Sequence, residues 1–180
     1  MKTLRETADE MLARLPDSYS ALPDFDLYMD QILDCLSRWQ ATLRGEEKLT
    51  SSMINNYTKD GLVPRAKGKK YGREHLVRLS AIVRLKQVLS VKDMAVLMDA
   101  ELAAQPPEVF FESFNALIRE AVDKVASRED DDVAELALRL AVNAYANKIA
   151  CEYLIGQLAA PPAGAKERKE QKEHGKSNPA

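Results

Sequence analysis

Along most of the chain, apolar residues recur every three or four positions, the spacing that lines one face of a helix. Leu4, Ala8, Met11, Leu12 and Leu15 form the first stripe, and Pro16 ends it. The second stripe is Phe25, Tyr28, Ile32, Leu36, Trp39 and Leu43; Asp24 or Asp26 suits its N-cap and Gly45 its end. Trp39, lying on that stripe, reads as core. A short helix then opens at Thr50. Leu49 before the cap and Ile54 after it match a hydrophobic staple, although Met53 at the third position rules out a capping box. Met53, Ile54 and Tyr57 face inward on this helix, and Ser51, Ser52, Asn55, Asn56 and Lys59 face outward. Asp60-Gly61 stops it.

The period changes after Gly61. Leu62-Val63 and Lys70-Tyr71 flank a Pro- and Gly-containing loop, which predicts a small β-hairpin. Helical spacing resumes over residues 73–89 with Leu76, Leu79, Ile82, Val83 and Val88 inward. Ser90-Val91-Lys92-Asp93 resembles a capping box with Asp in place of Glu, opening a helix that uses Met94, Leu97 and Met98. Two longer helices follow. Residues 108–126 carry Phe110, Phe114, Leu117, Ala121 and Val125 on one stripe. The second starts at the acidic run Glu129-Asp130-Asp131-Asp132, where the helix dipole favours negative charge, and reaches about Leu158. It is apolar or small around most of its circumference, so it needs more than one partner; a helical hairpin plus a second subunit would supply them. From Pro161 the apolar period vanishes, and residues 161–180 read as a disordered tail.

Composition agrees with a helical protein. Of 180 residues, 46% are hydrophobic, enough for a packed core, and only 6% are aromatic, few for a β-sandwich. No apolar run approaches the roughly 18–20 residues of a membrane span, and the N-terminus lacks a secretory signal's apolar stretch, so a cytoplasmic location is expected. Cys35 and Cys151 lie far apart with no CxxC spacing, and read as small buried hydrophobes rather than a disulfide or metal pair.

Charge changes the picture more. The formal net charge is only -2, but residues 49–90 carry nine basic and two acidic side chains, a local +7. No acid occurs between Asp60 and Glu74. A cationic centre between acidic ends suggests an anion-binding module on a neutralising scaffold. Catalysis has little support. The two histidines, His75 and His174, have no nucleophile nearby, and no nucleophile elbow, Walker loop, HExxH or dinucleotide fingerprint is present. No catalytic residue, metal or cofactor is expected.

Three features in order favour DNA: a capped helix with a polar outer face, a sharp turn, and a basic loop leading into another helix. Asn pairs bidentately with adenine and Ser donates or accepts, so Ser51, Ser52, Asn55 and Asn56 suit base readout. Arg65, Lys67, Lys69 and Lys70 suit phosphate neutralisation beside the groove. Thr50, Lys59, Tyr71 and Arg73 complete the candidate DNA-binding set.

Residues 49–64 resemble the recognition helix and the start of the wing in MerR-like winged helix-turn-helix regulators. Tyr57, Gly61-Leu62 and Pro64 stand at that family's tyrosine, Gly-Leu turn and wing proline, and Tyr71-Gly72-Arg73 resembles the wing exit. The likeness covers residues 49–98. It is closer still to an uncharacterised bacterial family known only as a domain of unknown function, which shares Met53-Ile54-Asn55-Asn56-Tyr57. Asn55 and Asn56 replace the MerR-type arginine and first tyrosine, so base contacts do not transfer at those positions, and the metal-sensing cysteines have no counterpart.

The resulting expectation is a mainly α protein: a winged helix-turn-helix with a small β-hairpin, followed by a C-terminal helical hairpin. Residues 1–23 would form an N-terminal helix, 24–100 the DNA-binding domain and 105–160 a dimerisation and effector region. Function would be sequence-specific transcriptional regulation by a homodimer on double-stranded DNA, with a small-molecule effector as a further partner. The alternative is a winged-helix protein–protein interaction module without specific DNA binding.

Overall fold

The fourth helix is apolar nearly all round: Leu76, Val77, Leu79, Ala81, Ile82 and Val83 are all buried. Such a helix must be enclosed, and the rest of the chain encloses it. The computed structural model describes residues 2–40, 48–128 and 132–159. In chain order the helices are α1 (Leu4–Leu12), α2 (Met29–Trp39), α3 (Ser51–Lys59), α4 (Arg73–Leu85), α5 (Val91–Ala104), α6 (Pro107–Ala126) and α7 (Val133–Ala159), with a 3-10 turn at Tyr19–Ala21. α2, α5 and α6 pack around α4; α3 lies against α2, α1 against α6, and α7 against α5. One buried cluster joins Leu22, Ile32, Ile54, Met98, Phe111 and Ile155, so the segment after the 3-10 turn and the C-terminal helices share the core of the central region. The fold is mainly helical, as the periodicity predicts.

Local chemistry sets several boundaries. Thr3 and Glu6 cap α1 reciprocally: Thr3 Oγ1 accepts from the Glu6 amide at 3.1 Å, and the Glu6 carboxylate accepts from the Thr3 amide at 2.8 Å. Ser90 Oγ accepts from the Asp93 amide at 3.1 Å and opens α5, whose Met94 and Met98 are buried as expected. Asp132 Oδ1 accepts from the amides of Ala134 and Glu135 and starts α7. Among the described residues no helix is long and apolar enough to cross a membrane.

Four expectations need correction. The second helix begins at Met29 with Tyr28 as its N-cap, not at Asp24 or Asp26, which leaves Phe25 and Tyr28 exposed outside the core. The β-hairpin does not form as paired strands: among the described residues there are only two single antiparallel bridges, Lys67 with Lys70 and Leu27 with Tyr71. The reason is local. The Leu62 and Val63 amides are spent on the Tyr57 carbonyl, Pro64 has no N–H, and the returning residue Tyr71 pairs with Leu27 instead. α4 ends at Leu85, whose carbonyl accepts from both Val88 and Leu89; Val88 is therefore exposed while Leu89 is buried. The C-terminal helices are not a close-packed hairpin, because α7 leans on α5 and an open groove lined by Leu117, Ala121, Val125, Leu140 and Ala144 separates it from α6. Within the single chain α7 buries only Ile155, so the cover expected from a second subunit is left for a partner to supply. The expected tail at 161–180, the Gly45 helix end and the run 129–131 lie outside the described residues.

Candidate nucleic-acid interface

α3 is fixed at both ends by its own sequence. Thr50 Oγ1 accepts from the Met53 amide at 3.2 Å. Leu49 and Ile54, the staple pair, are both buried. At the other end Gly61 adopts φ +79°, the Gly61 amide donates to Thr58 and the Leu62 amide donates to Tyr57, and Leu62 is fully buried. This is a Schellman stop, in which a left-handed glycine lets two outer amides satisfy the last carbonyls while an apolar side chain plugs the core. Arg78 of α4 reinforces it, donating to the Leu62 carbonyl at 3.3 Å and to Asp99 at 3.2 Å.

With Ile54 and Tyr57 anchored inward, the opposite arc of α3 faces outward. Ser51, Ser52, Asn55, Asn56 and Lys59 are all exposed. At 100° per residue they span a contiguous arc of about 140°. Thr50 is exposed too, but its hydroxyl is committed to the cap.

The loop that leaves Gly61 presents Arg65, Lys67, Lys69 and Lys70, all exposed. Its tip is a two-residue turn: Lys67 and Lys70 exchange both backbone hydrogen bonds, at 3.1 and 3.0 Å, across Gly68 at φ +58° and Lys69 at φ +65°. Two successive left-handed residues define the type I′ geometry that matches strand twist. Lys69 is the single non-glycine residue with positive φ among those described. No carboxylate among the described residues pairs with Lys59, Arg65, Lys67, Lys69 or Lys70. The loop's return is pinned: the Leu27 and Tyr71 amides and carbonyls exchange hydrogen bonds at 2.9 and 2.8 Å.

Two candidate residues sit differently. Tyr71 is buried, its ring edge-on to His75 at 5.3 Å, and burial pushes its phenol above the ordinary value. Arg73 turns back into the protein, donating to the carbonyls of Leu22 and Pro23 and lying over the Tyr19 ring. These two hold the loop, Tyr71 by its buried ring and its backbone bonds to Leu27, Arg73 by its bonds to the Leu22 and Pro23 carbonyls. Sequence reasoning missed Phe25 and Tyr28, which flank Leu27 beside the loop and are 62% and 51% exposed; Lys70 Nζ lies 5.4 Å above the Tyr28 ring. Their helical spacing disguised them as core. The local pattern holds no signal that separates them, because Asp26 lies off the helical face that Phe25 and Tyr28 would share.

Together these features define an all-helical domain with a surface helix of polar outer face running into a cationic loop. A family model describing a domain of unknown function, DUF1836, matches residues 17–114, more than half of the chain. The chain belongs to this family, in line with the likeness carried by residues 53–57. No curated protein and no solved structure matches it.

Proposed function

We propose that the protein is a sequence-specific, double-stranded-DNA-binding transcriptional regulator of the helix-turn-helix kind, akin to MerR-like regulators, with a cationic loop where those carry a paired wing, and acting as a homodimer. The observation that carries this reading is the exposed amide and hydroxyl arc of α3, backed by a rigid apolar anchor and continuous with a loop of unpaired cations. α3 enters the major groove, where Asn55, Asn56, Ser51 and Ser52 meet base edges. Arg65, Lys67, Lys69, Lys70 and Lys59 hold the phosphates, which sets affinity without selecting sequence. The proposal assigns no catalytic residue.

α7 supports the dimer. Leu138, Val142, Tyr145, Ile149 and Tyr153 fall on one face and are each about half to two-thirds exposed. At 1.5 Å per residue the 27-residue helix is about 40 Å long. Apolar patches of this extent mark interaction surfaces. A two-fold axis across the stripe lays a second copy antiparallel over it, pairing its apolar residues with their own equivalents.

Selection of bound sequences from a random duplex pool at physiological salt tests the reading. A symmetric motif with half-sites about 10 base pairs apart, or a multiple, is expected. No enriched motif would select the alternative, an interaction module whose partner covers α7. Replacing Lys67, Lys69 and Lys70 by Ala weakens all sequences alike and lowers the salt slope by about 0.9 log unit per lost phosphate contact. Asn55→Ala or Asn56→Ala instead changes the preferred base, at about 1–3 kcal/mol per bidentate contact.

A further inference from the structure

Between α1, the end of α2, α4 and α6 lies a cavity of about 230 Å³. Its walls are mostly apolar, with Met11, Leu12, Trp39, Val83, Ile118 and Val122 among them. Arg84 of α4 stands in that wall. Its guanidinium donates to the carbonyls of Ser80 at 2.5 Å and Trp39 at 3.4 Å, and no carboxylate among the described residues lies within ion-pair distance of it. Arg14 donates to the neighbouring carbonyl of Gln40 at 3.4 Å, bringing a second positive charge to the same helix end. On the face of α6 that carries Ile118 and Val122, one turn earlier, Asn115 is 4% exposed and neither amide atom has a partner among the described residues.

A half-buried, largely desolvated charge with no carboxylate partner among the described residues is costly, and carbonyl dipoles offset only part of that cost. Desolvation lowers the Arg84 pKa to about 10, but a guanidinium stays protonated at any working pH. The charge is therefore a standing one in the wall of a mostly apolar, partly open pocket. A guanidinium beside apolar walls suits a molecule with one anionic end and a hydrocarbon body. Volume bounds that body: an apolar cavity of 150 Å³ accepts benzene, so 230 Å³ admits a ring with a short chain. A polyphosphate would need several convergent donors, and the wall offers one cation.

We infer that this cavity binds a small apolar monocarboxylate, with Arg84 receiving the carboxylate and the walls from α1, α2 and α6 enclosing the hydrocarbon. This inference stands apart from the DNA-binding reading, since neither α3 nor its loop contributes to the site.

Trp39 is the chain's single tryptophan, and it lines the cavity. Its emission in the full-length protein is therefore a direct reporter. Titration with 3-phenylpropanoate should give a saturable change, whereas the neutral isostere 3-phenylpropanamide should bind at least tenfold more weakly. Arg84→Gln should remove that discrimination while leaving amide binding within about twofold, and Arg84→Lys should restore part of it. If Arg84 merely caps the end of α2, Arg84→Gln will lower the melting temperature and the wild type will not distinguish acid from amide; that result overturns the inference. So does the absence of any saturable change in the millimolar range. Should Arg84→Gln fail to fold, Ile118→Phe decides the matter: by filling the cavity it should abolish binding of the acid in a folded protein, and unchanged binding would sink the proposal.

Discussion

Gly61 and Lys69 share a backbone conformation that only one of them adopts without strain. A Cβ at Gly61 would meet nothing within 4 Å, so Gly61→Ala is a purely conformational test. It should cost about 1–2 kcal/mol, read as a lower denaturant midpoint with an unchanged slope. Lys69 already bears such a cost at φ +65°. Lys69→Gly should accordingly raise stability by up to about 1 kcal/mol. The same change should lower the salt slope of DNA binding by about 0.9, so stability and affinity move in opposite directions. Tyr71 gives a pH signature. Its folded phenol titrates above the ordinary 10.0 because burial disfavours the phenolate. The stabilisation is fully present below the unfolded value and is lost as pH rises through the folded one. Tyr71→Phe should therefore flatten the fall in stability above about pH 10, as followed by denaturant unfolding at stepped pH.

Among the elements, α3 was the most legible from sequence, because everything that builds it is local. The cap at Thr50, the staple of Leu49 with Ile54 and the stop at Gly61 are separated by a few residues each, and each is found as the pattern predicts. Thr50→Ala should cost about 1 kcal/mol of stability, measured by thermal or denaturant unfolding, since no other side chain takes over the Met53 amide. What the pattern could not reveal depends on partners far away in the chain. The bond between Leu27 and Tyr71 is non-local, and it converts an expected hairpin into a loop pinned to the segment before α2. Arg73 reads as one more cation of a basic run until the carbonyls of Leu22 and Pro23 are seen to occupy it. Phe25 and Tyr28 fit a helical period that starts only at Met29. Charge counts are blind to this sorting, so the local +7 overstates the cations facing outward: Arg73, Arg78 and Arg84 all donate to backbone carbonyls.

At the level of the whole molecule, the longest run of exposed large apolar side chains among the described residues lies along α7. Val133, Leu138, Val142, Tyr145, Ile149 and Tyr153 stand in the open along it, while Ile155 and half-buried Cys151 hold its C-terminal half to the core, and Lys148 donates to the Val88 carbonyl. A charge at the centre of the exposed stripe should disrupt association without unfolding the domain. Val142→Glu is expected to give a monomer by sedimentation with a nearly unchanged melting temperature. Affinity for a duplex with two half-sites should fall while affinity for a single half-site stays the same. A dimer that persists in Val142→Glu would place the two-fold contact elsewhere.

The bond between Leu27 and Tyr71 has a final consequence for where the chain tolerates being opened. Upstream, Leu62 and Val63 are locked into the core; downstream, Tyr71 is buried and tied to Leu27. Only the tip around Gly68 has neither anchor, and it is rich in the residues trypsin recognises. A single proteolytic nick there should leave two fragments that migrate together under native conditions and separate only in denaturant. New termini or an inserted peptide tag should likewise be accepted at this tip, with the helical scaffold left intact.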